Sequence, residues 1–96
     1  MDLPVLTGSQ KTHLRGLGQR MVPALKVGKD GLTAAFFGEL NRHLRARELV
    51  KLRFLLAERD ERAVLCQRIA AEGSCVCVGA VGRTALFYRP ASPSHA

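Results

Sequence analysis

The chain has 96 residues, which is enough for one small domain and leaves no room for a second hydrophobic core. Its 47% hydrophobic residues suffice for an independent fold, and 15 Lys and Arg against 8 Asp and Glu give a formal charge of +7. No segment is apolar over the length that spans a bilayer, and the N-terminus lacks a basic start before a long apolar run, so we expect a cytoplasmic protein with no membrane partner.

The first predicted element is a helix that begins after Thr7 and runs to about Arg20. Thr7 and Gln10 have the spacing of a capping box. The apolar positions that follow recur at i, i+3 and i+7 and define one face: Leu14, Leu17 and Met21. Pro23 ends this helix, and residues 24–27 are a short strand candidate.

Residues 27–33, Val-Gly-Lys-Asp-Gly-Leu-Thr, form a Gly-x-x-Gly loop that leads into the second helix. Gly28 and Gly31 allow a tight turn and close approach of a partner to the main chain, although any strand-to-helix turn could use them for geometry alone. Lys29 adds a cation beside the unpaired N–H groups of the helix start, so the loop is a candidate cradle for backbone phosphate. Asp30 can adopt the left-handed conformation of a turn, but its charge opposes a phosphate.

The second helix and second strand follow directly. Thr33 is the expected N-cap of a helix from Ala34 to about Arg47, with Phe36 close to its core side. The core positions of that helix are Phe37, Leu40 and Leu44. Residues 49–56 alternate as a strand, and the positions facing the core are Val50, Leu52, Phe54 and Leu56. Lys51 and Arg53 face the other way, which predicts a half-open sheet with two exposed cations.

The last part of the chain predicts a helix and a hairpin. Asp60 is the expected cap of a helix over residues 61–72, and Gly73 ends it. Strands at 75–78 and 84–89 form a hairpin with Gly82 in its turn. The order αβαβαββ predicts a single compact α/β domain with a four-stranded mixed sheet, a core over about residues 6–90 and a flexible tail at 91–96.

The positive charge is concentrated around the Gly-x-x-Gly loop. Residues 11–53 hold ten Lys and Arg against three Asp and Glu, whereas residues 54–96 hold five against four. This asymmetry indicates a polyanionic partner, with a solvated surface that binds nothing as the alternative. The candidate contact residues are Gly28, Lys29, Asp30, Gly31, Arg15, Lys26, Arg42, Arg45, Lys51 and Arg53.

Catalytic and metal-binding patterns are missing from the sequence. The serines have no His and carboxylate in a recognisable triad motif, and the three histidines fall in no metal-ligand motif. Cys75 and Cys77 lie on one face of a strand and, with Cys66, are expected to be reduced, buried small hydrophobes. Tyr88 and Phe87 are expected in the core rather than stacked on a base. We therefore expect no enzyme activity, no metal and no cofactor.

Several pieces of the chain together resemble the CRM domain (chloroplast RNA splicing and ribosome maturation) in its bacterial stand-alone, YhbY-like form. The matching pieces are residues 14–17 (Leu-Arg-Gly-Leu), 27–33, 47–53 (Arg-Glu-Leu-Val-Lys-Leu-Arg), and Val78 with 81–84 and 86–90. Their order and spacing cover residues 6–90. The resemblance implies an αβαβαββ fold similar to the C-terminal domain of bacterial translation initiation factor 3. It also implies RNA binding, with a Gly-x-x-Gly loop comparable to that of KH domains.

The family also suggests a cellular role. Its bacterial single-domain members are associated with the large ribosomal subunit and its precursors, and its plant organelle members assist group II intron splicing. We therefore expect a monomeric, non-enzymatic protein that binds large-subunit ribosomal RNA or pre-50S particles during ribosome assembly. The alternatives are an adaptor whose basic face docks an acidic protein and a factor for other structured RNA such as introns.

Overall fold

Three helices and four strands make up the fold in the computed structural model, which describes Leu3 and residues 5–90. The elements are α1 (Gly8–Gly18), β1 (Leu25–Val27), α2 (Ala34–Arg47), β2 (Leu49–Phe54), α3 (Arg59–Glu72), β3 (Val76–Val81) and β4 (Thr84–Tyr88). This order confirms the expected αβαβαββ fold. The predicted tail at residues 91–96 lies outside the described residues.

The four strands form one mixed sheet in the order β1–β2–β4–β3. β1 runs parallel to β2, and β4 is antiparallel to both of its neighbours. One row of register partners crosses all four strands near the end of β1: Lys26, Arg53, Thr84 and Val81. Because register partners point to the same side of a sheet, these four side chains share one face.

Each face of the sheet packs against helices. Helices α2 and α3 cover one face and enclose the main core, whose largest buried side chains are Phe54, Phe87, Leu40, Leu44, Leu52, Ile69 and Val50. Helix α1 packs on the opposite face over a smaller core of Leu49, Val78 and Leu86, with Leu6, Leu14, Met21 and Tyr88 against it. The expected core side of β2 is thereby confirmed, and Phe87 lies in the core. Leu56 is the exception, since β2 ends at Phe54 and leaves Leu56 exposed.

Helix α1 begins as predicted and ends earlier. The Thr7 hydroxyl accepts from the Gln10 N–H at 3.1 Å, and the Gln10 side chain accepts from the Thr7 N–H at 2.8 Å, which confirms the capping box. The helix ends at Gly18 rather than near Arg20, and Leu17 is exposed. Gly18 takes the buried position because α1 lies so close to β4 that a Cβ there would be 2.7 Å from Leu86 Cδ2.

The predicted N-cap of α2 is confirmed, and the predicted N-cap of α3 is wrong. The Thr33 hydroxyl accepts from the Phe36 N–H at 3.0 Å, so Thr33 is the N-cap of α2 as expected. Phe36 is the buried member of this aromatic pair, and Phe37, which was expected in the core, is only partly buried and packs edge-on against it. The prediction that Asp60 caps α3 is wrong. Glu58 is the N-cap and forms a capping box with Glu61, which moves the helix start to Arg59.

Helix α3 ends through a clamp that sequence patterns did not indicate. Gly73 is its C-cap in a right-handed conformation, and Ser74 adopts the left-handed one, with φ of 52°. The guanidinium of Arg89 donates to the carbonyls of Ser74 (3.0 Å) and Gly73 and to the Asn41 side chain (2.7 Å). Arg89 therefore satisfies carbonyls that the helix end leaves free and ties α3 to α2.

Candidate nucleic-acid interface

Three connections meet at one end of the sheet, which we call the loop end: the Gly-x-x-Gly loop, the β2–α3 connection and the β3–β4 turn. The Leu55 N–H donates to the Val27 carbonyl at 2.9 Å, and the Phe54 N–H donates to the Arg83 carbonyl at 2.7 Å. The Arg83 guanidinium donates in turn to the Leu55 carbonyl at 3.3 Å. These bonds attach the Gly-x-x-Gly loop to the sheet rather than leaving it as a free appendage.

The Gly-x-x-Gly loop is a closed turn. The Gly31 N–H donates to the Gly28 carbonyl at 3.1 Å, and Gly31 has φ of +70°, the left-handed conformation that glycine adopts without strain. Asp30 does not have a positive φ, so the left-handed residue of the turn is Gly31 and not Asp30. A Cβ at Gly28 would meet Leu55 Cδ1 at an ordinary 3.6 Å. The backbone therefore requires glycine at position 31 and not at position 28.

The concave side of the loop has a balanced charge. A shallow depression of about 300 Å³ lies beside it, bounded by Lys26 and Lys29 and also by Asp30 and Glu39. The first amides of α2 face outward there because helix starts leave them without a helical acceptor. With two acids among its walls, this depression alone is a weak electrostatic attractor for phosphate.

A local excess of positive charge lies on the sheet next to the loop. Lys26 and Arg53 are register partners on the parallel strands β1 and β2, both exposed, and we call them the cation row. Adjacent strands lie ~4.8 Å apart, so two like charges are held side by side. The ion pairs found within residues 5–90 are Arg42–Glu39 and Arg68–Glu72, and neither includes a member of the cation row. Such a pair attracts an anion that bridges both side chains.

Lys51 and Arg15 lie deeper on the same face, where α1 crosses the sheet. The Lys51 ammonium donates to the carbonyls of Gly18 (3.1 Å) and Met21 (3.3 Å) and is half-buried. The expectation that Lys51 is exposed beside Arg53 is therefore wrong, because α1 packs over this side chain and two carbonyls at the end of α1 and just beyond it accept hydrogen bonds from the ammonium. Arg15 on α1 is exposed, with Cδ 3.0 Å from where a Cβ of Gly79 would lie.

Arg42 and Arg45 lie apart from the other candidates. Arg42 is the ninth residue of α2, ~12 Å along the helix from its start at the loop, and Arg45 is a turn farther. The Arg42 guanidinium pairs with Glu39. The ten predicted contact residues thus fall into three groups: the loop with the cation row, the α1 crossing, and the outer surface of α2. Any RNA contact by these residues stays a prediction.

Sequence reasoning missed several residues that line the same surface. Arg83 is at the loop end, Thr84 and Val81 continue the cation row across the sheet, and Gln19 lies at the end of α1. The sequence signals for this region were the hairpin and the family-like piece at residues 81–84. They predicted two paired strands but not which of their residues stand beside Arg53.

The three cysteines are free thiols with distinct environments. Cys66 and Cys75 are buried and Cys77 is half-buried, close to the expected placement. A hydrogen bond with Cys77 and then burial raise the pKa of Cys66 far above its usual range. The same hydrogen bond lowers the pKa of Cys77 to about 7, against its burial. Burial raises the pKa of Cys75 to about 11.

The described part of the chain holds neither a cluster of metal-ligating side chains nor a membrane-spanning helix. No group of three or more His, Cys, Asp and Glu side chains is placed to hold a metal ion among those residues. None of the helices within them is long and apolar enough to cross a bilayer.

Comparison with known proteins gives consistent matches over almost the whole chain. The chain is 38% identical over 84 residues to a protein of Pseudomonas aeruginosa named as a probable RNA-binding protein, covering 88% of this chain and 81% of that one. It is 28% identical over 88 residues to a protein of Haemophilus influenzae named as an RNA-binding protein, covering 92% and 89%. The solution structure of a Staphylococcus aureus protein proposed to bind RNA superposes with a TM-score of 0.81 at 27% identity, covering 94% of each chain. The model of the CRS1/YhbY (CRM) domain matches residues 6–89, and the chain therefore belongs to that family.

Proposed function

We propose that this protein binds RNA without catalysing a reaction, and that the loop end of the sheet is where it holds the sugar-phosphate backbone. The observation that carries the proposal is the cation row, in which Lys26 and Arg53 lie side by side next to the Gly-x-x-Gly loop and form no ion pair with an acid among residues 5–90. The RNA-binding names of two relatives support the same partner.

In this mechanism the cation row attracts the RNA phosphates, and the Gly-x-x-Gly loop fixes where the RNA backbone lies. A phosphate bridging Lys26 and Arg53 relieves the repulsion between them. The turn from Gly28 to Gly31 presents backbone and Lys29 to the adjoining phosphate, while Asp30 limits the affinity there. Because phosphate contacts carry no sequence information, this mode recognises the course of the RNA backbone.

We further propose that the RNA is large-subunit ribosomal RNA or its precursor, bound by a monomer in the cytoplasm. This part rests on the family resemblance, whose bacterial single-domain members associate with that subunit. Crosslinking in cells followed by sequencing of the bound RNA tests it. Reads concentrated on large-subunit ribosomal RNA support the proposal, and reads spread over messenger or intron RNA contradict it.

The contact surface is tested by a salt titration of binding to a labelled ribosomal RNA fragment. We expect the slope of log K against log salt to fall by about 1.4–1.8 in Lys26→Gln/Arg53→Gln, because each lost phosphate contact removes roughly 0.7–0.9. Arg42→Gln/Arg45→Gln removes the same charge from the outer surface of α2 and is the matched control. Equal slopes in the two double variants would contradict this placement, and salt-independent binding of the wild type would contradict the function.

A further inference from the structure

A cleft of about 520 Å³ opens between α1 and the sheet, on the face that carries the cation row. Its volume lies within the ~300–1,000 Å³ range of small-ligand pockets. One stripe of α1, spaced i, i+3, i+4 and i+7, forms its upper wall: Thr12, Arg15, Gly16 and Gln19. Leu86 and Gly79 lie in its floor, and Thr84 and Val81 close it toward the loop end.

The cleft exists because glycines replace side chains on both of its walls. Gly16 of α1 and Gly79 of β3 line opposite walls of it, and Gly18 lets α1 approach Leu86 closely at one side. A Cβ at Gly16 would have nothing within 4 Å, so this position borders open space. At Gly79 the missing side chain leaves room for Arg15, whose Cγ and Cδ lie 3.6 and 3.0 Å from the place of a Cβ. The Arg15 stem thus lies on the strand and carries its guanidinium to the cleft.

The groups around the cleft suit a flat ring with polar edges. Buried Leu86 lies in the floor, and Val81, which is 75% exposed, offers apolar contact at the rim. The Lys51 ammonium uses two of its three donors on the carbonyls of Gly18 and Met21 and keeps one. The Thr84 hydroxyl donates to the Val81 carbonyl at 2.9 Å and can still accept a hydrogen bond. The side-chain amide of Gln19 adds a donor and an acceptor.

The position of the cleft beside the cation row indicates what kind of ligand it binds. The cleft adjoins the cation row, since Thr84 is the register partner of Arg53 and Lys51 lies two residues before Arg53 on β2. A ring seated in the cleft therefore has a place for its attached phosphate beside it. No aromatic ring lines this cleft within residues 5–90, so the planar guanidinium of Arg15 is the group available for stacking.

We propose that this cleft binds one unpaired base of the RNA, stacked against the guanidinium of Arg15, while the neighbouring phosphates lie on the cation row. The inference rests on the proposed RNA binding and adds that the protein distinguishes unpaired nucleotides from continuous duplex. Bases that leave the stack expose both faces and their hydrogen-bonding edges, which is the surface that this cleft complements.

The test compares two RNAs that differ only in bases. A labelled hexauridylate and the same strand with abasic residues carry the same phosphates, and their affinities are measured by fluorescence anisotropy at fixed salt. We expect the wild type to prefer hexauridylate by about tenfold, within the range known for base stacking. Gly16→Leu fills the cleft at a position with no neighbouring atoms to clash, and we expect it to abolish the preference while leaving abasic binding unchanged.

Gly38→Leu is the matched control, because Gly38 is also a helical glycine with nothing within 4 Å of a Cβ. It should retain the preference. A second measurement needs no variant: the methyl resonances of Leu86 and Val81 should shift with hexauridylate and not with the abasic strand, whereas those of exposed Val64 on α3 should not move.

The outcomes distinguish the base site from the phosphate-binding surface. Equal wild-type affinity for both strands, or a preference that survives in Gly16→Leu, overturns the base site and leaves the phosphate-binding proposal standing. Failure of the wild type to bind either strand at low salt counts against RNA binding itself and overturns both. If Gly16→Leu does not fold, unmoved Leu86 and Val81 resonances overturn the base site.

Discussion

The Lys51 ammonium lies 3.1 Å from the carbonyl oxygen of Gly18, the last residue of α1. This side chain of β2 therefore donates a hydrogen bond to the C-terminal end of the helix that packs over it. A second bond, to Met21, holds the segment that leaves the helix. A basic residue in a basic region thus has a structural task, and net charge alone does not identify RNA contacts.

Removing this bond should destabilise the fold. We expect Lys51→Met, which keeps the aliphatic stem, to lower the free energy of unfolding by about 1–2 kcal/mol, because two carbonyls lose a charged donor. Arg53→Met, two residues farther on the same face and exposed, should change it by less than about 0.5 kcal/mol. Urea denaturation measures both, and equal midpoints for the two variants would contradict this assignment.

The Gly-x-x-Gly loop should respond differently at its two glycines. Gly31→Ala should cost about 1–2 kcal/mol, since φ of +70° is strained for any residue with a Cβ. Gly28→Ala should cost clearly less, because its Cβ meets only Leu55 at 3.6 Å. Thermal or urea unfolding of the two variants makes the comparison. A larger loss at position 28 would be inconsistent with the turn described.

Asp30 should weaken RNA binding. We expect Asp30→Asn to raise affinity about two- to fivefold at low salt, because one like charge ~4 Å from a phosphate costs about 1 kcal/mol in water. The gain should shrink as salt is added. Glu72→Gln removes an exposed carboxylate from the last turn of α3, at the end of that helix away from the β2–α3 connection, and serves as the control. The prediction fails when the two variants bind labelled ribosomal RNA equally.

Glu48 should be replaceable with a gain in stability. It ends α2 in the left-handed conformation, with φ of 63°, and its backbone bonds to Leu44 and Arg89 do not involve its side chain. We expect Glu48→Gly to raise the free energy of unfolding by about 1 kcal/mol, since glycine avoids the Cβ strain. Ala46→Gly, within the same helix, should instead lower it by a similar amount. A loss in both variants would contradict the prediction.

Cys77 should react with thiol reagents near neutral pH. Because its pKa is lowered to about 7, its thiolate forms as pH rises through that value, and the rate of alkylation by iodoacetamide should rise and level off above it. Cys75, with a pKa of about 11, should react slowly over the same range. Cys66→Ala removes the hydrogen bond and should move the Cys77 midpoint upward, as peptide mapping of alkylated protein would reveal. A Cys77 midpoint already near 9 in the wild type would refute the paired arrangement.

Local interactions were predictable because their partners lie within a few residues. The caps at Thr7 and Thr33 depend on side chains three positions from the amides they bind, and the alternation of β2 is visible in its own residues. The Glu58 cap was missed because Glu58 and Asp60 are both possible caps of the same helix. Only the backbone conformation shows that the helix begins after Glu58.

The arrangement of the candidate RNA-binding surface depends on contacts between residues that are distant in sequence. Composition and motif order were enough for the family, the αβαβαββ order and the basic half of the chain. Only the folded structure pairs Lys26 with Arg53 across 27 positions of sequence, half-buries Lys51 beneath α1 and opens the cleft between Gly16 and Gly79. Strand register and helix placement are set by the packing of both cores together, and no local pattern encodes that balance.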